Sequence, residues 1–359
     1  MKIGIVGFPW VGKSTLFSLM TGQPVESAGG RRDELRIGVA KVEDPRLDAL
    51  WPLYPTSRKV QATIEYLDAA PMEKGEIARS PQLATLRNAD AFLHVVRAFE
   101  LEELPHSLGP IDPARDIETL DLEFAVADLE LVEKRLDRLE KDVFKGIKKA
   151  ESQAELTLLR DCAERLGRGE ALRERQFSPE EDRLVRGYNL LTLKPKVDVL
   201  NIGEAELKAG ADPLPRYKLE RAPGRHNIRV YACARLELEF SQLDPESAAA
   251  FRAEYGDPPA LAPEVVRACY EVANLISFFT VGDDEVRAWP IPRGTKAPEA
   301  AGAVHSDMEK GFIKAEVGRC EDLVEHKDFA HLRTHGKLRL EGRDYTVQDG
   351  DVIVFRFAR

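Results

Sequence analysis

Short apolar runs alternate with amphipathic stretches through the N-terminal two thirds of the chain. Residues 2–6 predict a buried strand that leads, through a turn containing glycine, into a helix at residues 13–20. Further strand-like runs lie at residues 61–67, 91–99, 196–200 and 228–232, and helical patterns separate most of them. This order predicts a mostly parallel α/β sheet.

A heptad pattern interrupts this alternation after residue 117. Apolar side chains recur at the 3-4 spacing of a coiled-coil seam at Leu122, Ala125, Leu129, Val132, Leu136, Leu139 and Val143. A similar pattern continues at Leu156, Leu159, Ala163 and Leu166. We predict that residues 118–185 form two antiparallel helices projecting from the sheet domain. The alternative is an amphipathic helix that lies on that domain.

Strand-like runs return near Ser277, after helical stretches at residues 245–255 and 263–275. The runs are residues 278–281, 286–290, 337–340 and 352–357, with a helical pattern at residues 296–305. Turn signals at Glu341-Gly342 and at residues 348–351 separate the last strands. Strand-strand-helix-strand order over this length predicts a small α+β module.

The composition fits a multidomain globular protein. A length of 359 residues suggests two or three domains, and 43% hydrophobic with 32% charged residues is ordinary for a folded chain. The N-terminus lacks a secretory pattern and no apolar run reaches bilayer length, so we expect a cytoplasmic protein without membrane contact. Four scattered cysteines indicate neither a disulfide framework nor a zinc site, and the net charge of −10 argues against general nucleic-acid coating.

The first turn carries a phosphate-binding pattern. Gly7-Phe-Pro-Trp-Val-Gly12-Lys13-Ser14 has the required glycine, lysine and serine spacing between a strand and a helix. Backbone N–H groups of such a loop surround an anion, Lys13 would reach the β and γ phosphates, and Ser14 would hold Mg²⁺. The predicted phosphate contacts are Gly7, Pro9, Trp10, Val11, Gly12, Lys13, Ser14 and Thr15. The alternative is a glycine-rich turn with a structural lysine.

From these residues outward, the chain resembles the YchF/Obg-like ATPase family of the Obg-related GTPase superfamily. The resemblance is carried by residues 7–15, 42–47, 94–100, 116–119, 127–135 and 278–357. It implies an α/β fold: a P-loop NTPase G domain with an inserted helical coiled-coil hairpin and a C-terminal β-grasp (TGS) domain. The corresponding boundaries are 1–117 with 188–276 for the G domain, 118–187 for the hairpin and 277–359 for the TGS domain. The family also implies binding of ATP or GTP and their diphosphates with Mg²⁺, and association with ribosomes.

The base-recognition residues depart from the usual guanine site. Most relatives in the superfamily carry Asn-Lys-x-Asp, whereas this chain has Asn201-Ile-Gly-Glu204, a variant that the resemblance links to relaxed guanine specificity and preferential ATP use. Glutamate is one methylene longer than aspartate, so its carboxylate cannot take the same position against guanine unless the base or the carboxylate shifts. Cys233-Ala234 stands where a Ser-Ala-Lys loop contacts the base. The choice between ATP and GTP stays open, and Asn201 alone would fit a strand-end turn residue.

Three departures affect the hydrolytic half of the site. Trp10 replaces an asparagine that can help hold a monovalent cation, and residues 29–36 contain no threonine or serine for Mg²⁺. The Asp-x-x-Gly motif, whose aspartate is the second predicted Mg²⁺ residue, reads Asp68-Ala-Ala-Pro71, and proline has no N–H for the γ phosphate. Met72 follows in place of a water-orienting glutamine. We therefore expect weak or lost hydrolysis.

His106 is the predicted catalytic residue. It matches a loop histidine that the resemblance offers in a family without the glutamine, and histidine can activate water near neutral pH. The alternative is an exposed loop histidine without a catalytic role.

A basic segment marks the predicted hairpin tip. Residues 134–149 hold seven basic side chains against three acidic ones, and Lys145, Lys148 and Lys149 are candidate RNA contacts. The alternative is a solvated helix face. Two functions stay open: a slow NTPase associated with the ribosome through the hairpin tip and TGS domain, and a non-hydrolysing nucleotide-dependent scaffold that binds RNA or protein.

Overall fold

A computed structural model describes residues 1–25, 35–101, 103–144, 149–224 and 226–358, without the side chains of residues 143–144 and 149–152. The strands are β1 Lys2–Val6, β2 Arg36–Val42, β3 Arg58–Val60, β4 Ala62–Asp68, β5 Ala91–Ala98, β6 Lys196–Ile202, β7 Asn227–Ala232, β8 Leu275–Val281, β9 Glu285–Pro292, β10 Phe312–Arg319, β11 Arg339–Glu341 and β12 Asp351–Phe357.

The helices in the same part of the chain are α1 Lys13–Thr21, α2 Pro45–Leu50, α3 Leu83–Leu86, α4 Pro113–Phe144, α5 Lys149–Gly167, α6 Pro179–Arg186, α7 Glu204–Lys208, α8 Ala234–Phe240, α9 Pro245–Glu254, α10 Leu261–Val272, α11 Ala297–Val304, α12 Ser306–Lys310, α13 Cys320–His326 and α14 Phe329–Thr334. Short 3-10 turns lie at Trp51–Leu53, Ile77–Arg79, Leu172–Glu174, Leu191–Leu193 and Leu214–Tyr217. No helix in the described ranges has both the length and the apolarity needed to cross a membrane.

The chain divides into two compact units. The first, here called the nucleotide unit because it contains the phosphate-loop sequence, comprises Lys2–Ala40 and Glu65–Val272. The second, called the C-terminal unit, comprises Lys41–Ile64 and the chain from Ala273 onward. This division differs from the three predicted domains, which stay a prediction.

A six-stranded sheet in the order β2-β4-β1-β5-β6-β7 organises the nucleotide unit. The pairs β4–β1, β1–β5, β5–β6 and β6–β7 are all parallel. Every residue of β5 and of β6 is buried, as expected for central strands covered on both faces. The predicted parallel α/β sheet is confirmed, and its strands end together at one edge.

The edge strand β2 was not predicted from the sequence. Its apolar residues Ile37 and Val39 are exposed, whereas Gly38, Ala40 and Val42 face inward. A side chain at Gly38 would have its Cβ 2.5 Å from Thr21 Cγ2, so the close approach of α1 requires glycine there. The inward-facing side of β2 therefore carries small residues at Gly38 and Ala40.

Helices α4 and α5 pack along each other and form the predicted hairpin. Their shared core contains Ala125, Val132, Leu139, Leu156, Leu159, Cys162 and Leu166. Leu122, predicted in the seam, is half exposed, so the apolar contact between the helices begins at Ala125. The last predicted seam residue, Val143, lies outside the described side chains.

A buried charged cluster ties the base of α4 to the sheet. Lys196 on β6 donates to Asp121 Oδ2 at 2.7 Å, and Arg173 donates to Asp121 Oδ1 at 3.0 Å. Burial disfavours the Asp121 carboxylate, but Arg173 and Lys196 together hold its pKa below the ordinary value. Removing one partner would leave an uncompensated buried charge, so the cluster fixes where the hairpin leaves the sheet.

The C-terminal unit is built on a second sheet with the order β11-β10-β12-β8-β9-β3. Strand β12 pairs antiparallel with β10 and parallel with β8, and β8 pairs antiparallel with β9. The core beneath α11 includes Ile276, Phe278, Ile291, Ala300, Phe312, Val317 and Phe355. The predicted α+β module is confirmed, although strand β10 and helices α12, α13 and α14 were missed.

Residues 41–64 belong to the C-terminal unit, although the strands at either end of this segment, β2 and β4, lie mostly in the nucleotide unit. Strand β3 pairs in parallel with β9, and Ser57 Oγ donates to Asp283 O at 3.0 Å. Arg46 bridges Asp44 and Asp349 at 2.8 and 2.9 Å, with its guanidinium 5.2 Å from the Phe279 ring centre. The motif at residues 42–47 therefore contacts the C-terminal unit through Arg46.

Candidate functional site

The phosphate-loop sequence lies between β1 and α1, as predicted. Gly7 has φ +151°, and a Cβ there would lie 2.6 Å from Val95 O. Gly12 has φ +100°, and its Cβ would lie 2.3 Å from Asn201 Nδ2. Only glycine suits either position, because an L side chain would meet both an unfavourable backbone conformation and a neighbouring atom.

Lys13 is buried inside the loop. Its ammonium donates to Gly7 O at 2.9 Å and to Phe8 O at 3.3 Å. Burial lowers its pKa to about 8, although the carboxylate of Asp68 acts in the opposite direction. Asp68 therefore compensates the positive charge of Lys13 only in part. A phosphate anion bound beside the ammonium would add negative charge and favour its protonated form.

The loop residue before Val11 is unusual. Trp10 has φ +64°, a left-handed conformation that is uncommon for a residue with a bulky side chain. Its indole is 43% exposed and faces the neighbouring cavity. The Trp10 indole therefore presents a large apolar surface to a ligand in the cavity.

A cavity of about 710 Å³ opens at this edge of the sheet, a size typical of small-molecule sites. The predicted residues that line it are Pro9, Trp10, Val11, Gly12, Lys13, Ser14, Thr15, Asp68, Asn201, Glu204 and Cys233. Gly7 and Ala234 do not line it; Ala234 lies between two lining residues in the chain, and Gly7 lies two residues before Pro9. The structure thus brings the predicted phosphate and base residues to one cavity within the nucleotide unit.

Asn201, at the end of β6, joins the phosphate loop to the loop after β7. Its Nδ2 donates to Val11 O at 3.0 Å, and its Oδ1 accepts from Ala234 N at 3.0 Å. The side chain is buried, so these two bonds occupy the groups that face the protein. Asn201 therefore acts as a brace between the two loops.

Glu204 and Cys233 form the other end of the cavity. Glu204 begins α7, and its Oε1 accepts a hydrogen bond of 2.6 Å from the Tyr255 hydroxyl. Cys233 precedes α8, and burial raises the pKa of its thiol. Glu204 therefore supplies a hydrogen-bond acceptor at this end of the cavity.

The turn after β4 has its backbone donors in use. Ala69 N donates to Ile5 O at 3.2 Å, and Met72 N donates to Gly7 O at 3.1 Å. Ala70 N donates to Gln82 Oε1 at 2.7 Å, and Pro71 has no N–H. Each N–H of residues 69–72 therefore already has an acceptor in this conformation.

Arg36 brings a positive charge to the same region. Its Nη1 lies 3.9 Å from Asp68 Oδ2, and its Nη2 donates to Pro24 O at 3.1 Å. The guanidinium lies 4.5 Å from the centre of the Phe17 ring. Residues 26–34 lie outside the described residues. Of the threonine-free stretch at residues 29–36, the structure therefore describes only residues 35 and 36.

His106 is buried away from the cavity lining. Its Nε2 lies 2.8 Å from Asp116 Oδ2, and its Nδ1 accepts from Leu108 N at 3.1 Å. Burial lowers the pKa of the ring, while Asp116 raises it and Arg115 lowers it. In this arrangement Nδ1 has a hydrogen-bond partner and Nε2 is buried beside Asp116, so the ring connects its loop to α4. Its catalytic role stays a prediction.

The candidate RNA contacts fall at the edge of what is described. Lys145 and Lys148 lie outside the described residues, and Lys149 begins α5 with its side chain undescribed. Their role stays a prediction. Residues at or beside the site that the sequence analysis did not single out include Arg36, Gln82 and Tyr255.

Comparison with known proteins adds independent information. The family model YchF-GTPase_C, described as "Protein of unknown function (DUF933)", matches residues 275–358. "Ribosome-binding ATPase YchF" of Pasteurella multocida is 39% identical over 362 residues, covering 99% of both chains. The Bacillus subtilis protein of that name is 38% identical over 367 residues with the same coverage. "Obg-like ATPase 1" of Oryza sativa is 35% identical, covering 99% of this chain and 92% of its own.

A solved structure agrees with these relatives. The Schizosaccharomyces pombe YchF GTPase superposes with a TM-score of 0.81 at 29% identity, covering 99% of this chain and 97% of the other. The predicted fold class, an α/β protein with a G domain, an inserted helical hairpin and a C-terminal domain, is confirmed by this match and by the two sheets described above.

Proposed function

The chain belongs to the YchF family, and we propose that it binds a purine nucleoside di- or triphosphate with Mg²⁺ in the cavity of the nucleotide unit. The observation that carries the proposal is the joint placement of the phosphate loop, buried Lys13 and the Asn201 brace around one cavity. The helix α1 begins at Lys13 and adds favourable potential for phosphate at its N-terminus.

The donor set near the loop suits Mg²⁺. Ser14 offers a hydroxyl at the start of α1, and Asp68 offers a carboxylate at the end of β4; both line the cavity. Proteins commonly hold Mg²⁺ through one or two such oxygens together with substrate phosphates. No group of three or more His, Cys, Asp or Glu residues among the described positions could hold a metal without phosphate. When bound, Mg²⁺ would neutralise part of the phosphate charge.

We further propose that hydrolysis is slow. The N–H groups of Ala69, Ala70 and Met72 already have protein acceptors, and Pro71 offers none. Met72 is buried and has no group that could orient water. Losing one well-placed donor to a developing charge typically costs a hundredfold or more in rate, about 3 kcal/mol.

Association with the ribosome is the second part of the proposal. Two relatives above carry "Ribosome-binding ATPase" as their name, and the segment at residues 134–149 carries a local excess of positive charge on an acidic chain. We propose that Lys145, Lys148 and Lys149 contact ribosomal RNA phosphate, with the C-terminal TGS-like unit as a further contact. Co-sedimentation with ribosomes should weaken with salt and with the triple change of these lysines to glutamine.

Calorimetry with ATP, ADP, GTP and GDP in Mg²⁺, read beside a phosphate-release assay, tests the nucleotide proposal. We expect binding of di- and triphosphates, loss of binding in Lys13→Met, and slow turnover that increases in Pro71→Gly. Rapid turnover by the unmodified protein would refute slow hydrolysis, and absence of binding would refute the site. Zero turnover with nucleotide-dependent co-sedimentation would favour the non-hydrolysing scaffold, for which the occupied donors of residues 69–72 are the supporting observation.

A further inference from the structure

The Tyr255 hydroxyl contacts a side chain of the base end of the cavity from the end of a helix that is distant in the sequence. It donates to Glu204 Oε1 at 2.6 Å, although 51 residues separate the two side chains in the sequence. Glu204 lines the cavity and Tyr255 stands immediately after α9, behind it. The contact therefore reaches the ligand only through the glutamate.

The tyrosine is held in place by its own surroundings. Its ring packs at 6.1 Å from the Phe240 ring and lies within the apolar cluster that includes Leu207 and Leu236. Its backbone N–H donates to Arg252 O at 3.0 Å. The hydrogen bond to Glu204 raises the pKa of the phenol to about 12, so the hydroxyl stays protonated and donates throughout the neutral range.

Among the predicted base residues, Glu204 keeps a polar side chain that lines the cavity and can read a base edge. The Asn201 side chain donates to Val11 O and accepts from Ala234 N, so these groups already have protein partners. An ionised carboxylate only accepts hydrogen bonds, so it recognises donor groups on a base. Guanine presents two adjacent donors, N1–H and the exocyclic amine. Adenine presents one amine donor next to an acceptor nitrogen.

We propose that Tyr255 is a positioning residue that favours adenine over guanine by engaging one oxygen of the Glu204 carboxylate. Two parallel bonds to guanine require both oxygens, whereas the single amine of adenine requires one. Release of the phenol would free the second oxygen, which guanine can use and which the adenine ring nitrogen would repel. This inference rests on the proposed nucleotide binding and assigns the base preference of that same site.

The test is Tyr255→Phe in the full chain, with calorimetric Kd values for ADP and GDP in Mg²⁺. Diphosphates are used because they cannot be hydrolysed at the γ position. The variant keeps the ring, so packing against Phe240 is retained. We expect the ratio of the GDP Kd to the ADP Kd to fall about tenfold, equivalent to about 1.4 kcal/mol, because guanine gains one hydrogen bond to a charged oxygen.

Tyr217→Phe is the matched control. It removes a hydroxyl from the same apolar cluster, where it donates to Ala98 O at 3.4 Å, and should leave the ratio unchanged. In a Glu204→Ala background, Tyr255→Phe should no longer change the ratio, because the phenol acts only through that carboxylate. The ratio in the unmodified protein should also stay constant between pH 6 and about 8, where neither the phenol nor the guanine N1–H ionises.

The outcomes separate this inference from the function it rests on. Binding of both diphosphates with an unchanged ratio in Tyr255→Phe, or equal weakening of both, would overturn the positioning role and leave nucleotide binding intact. A ratio change that persists in Glu204→Ala would also overturn it. Failure of the unmodified protein to bind either diphosphate would overturn the proposed function itself.

Discussion

Replacing Asn201 by alanine tests the brace between the phosphate loop and the loop after β7. The change removes two hydrogen bonds of 3.0 Å, to Val11 O and from Ala234 N, at a side chain only 7% exposed. A buried hydrogen bond contributes about 1 kcal/mol net, and an orphaned partner adds to the loss. We therefore expect the free energy of unfolding to fall by about 2–3 kcal/mol, which lowers Tm by roughly 5–10 °C for a unit of this size.

Urea and thermal unfolding followed by circular dichroism measure this change directly. Asn201→Asp is the informative second variant, because it keeps the acceptor for Ala234 N but sets a carboxylate oxygen against Val11 O. It should lose at least as much stability as the alanine variant. Asn88→Ala, whose amide donates to Ala84 O on the exposed surface of the same unit, should change stability by less than about 0.5 kcal/mol. An Asn201→Ala effect as small as that of Asn88→Ala would refute the brace.

Three further predictions concern the ligand. Nucleotide phosphates should raise the lowered pKa of Lys13, so that binding takes up less than half a proton at pH 7.5 and more than half at about pH 8.5. Calorimetry in buffers of different ionisation enthalpy measures this proton uptake. Absence of proton uptake at both pH values would contradict the phosphate contact with Lys13. Arg36→Gln removes a cation 3.9 Å from Asp68 and should lower severalfold the Mg²⁺ concentration needed for half-maximal nucleotide binding, unlike Arg235→Gln at the same cavity. Tryptophan emission should change on addition of ADP in a Trp51→Phe/Trp289→Phe variant, because Trp10 lines the cavity; an unchanged signal despite calorimetric binding would argue against contact with Trp10.

The phosphate end of the site could be predicted because it is encoded locally. Glycine spacing, lysine and a strand-to-helix context are all contained within residues 2–20, and the backbone geometry at Gly7 and Gly12 follows from them. Asn201 could be placed by its position at a strand end in a parallel sheet, whose strands finish at a common edge. Its bracing contacts to Val11 and Ala234 needed coordinates.

The remaining parts of the site depend on partners far away in the chain. Tyr255, the residue after α9, donates to Glu204, and Asp116 near the start of α4 lies 2.8 Å from His106 Nε2. No spacing rule connects either pair. A histidine that the sequence left open between a catalytic group and an exposed loop residue therefore proves to be a buried one in the structure.

Of the strands that the sequence analysis missed, β2 and β10 have identifiable physical reasons. In β2 the apolar residues face outward and small residues face the core, which reverses the usual pattern. In β10 a register shift between Phe312 and Lys314 breaks the alternation of buried and exposed positions, and Glu316 is buried beside Arg356 at 3.1 Å. Periodicity detects neither case.

The packing of residues 41–64 within the C-terminal unit determines how the protein can be cut into separately expressed pieces. A fragment covering residues 275–358, the span matched by the family model, would lack β3 along β9 and the Arg46 partner of Asp349. It would also lack Leu47 and Leu50, which are fully buried in the intact protein. An autonomous version needs residues 41–64 restored, either as a second peptide or joined by a flexible linker. A sequence boundary drawn near residue 275 would yield a fragment with an open sheet edge and a tendency to aggregate.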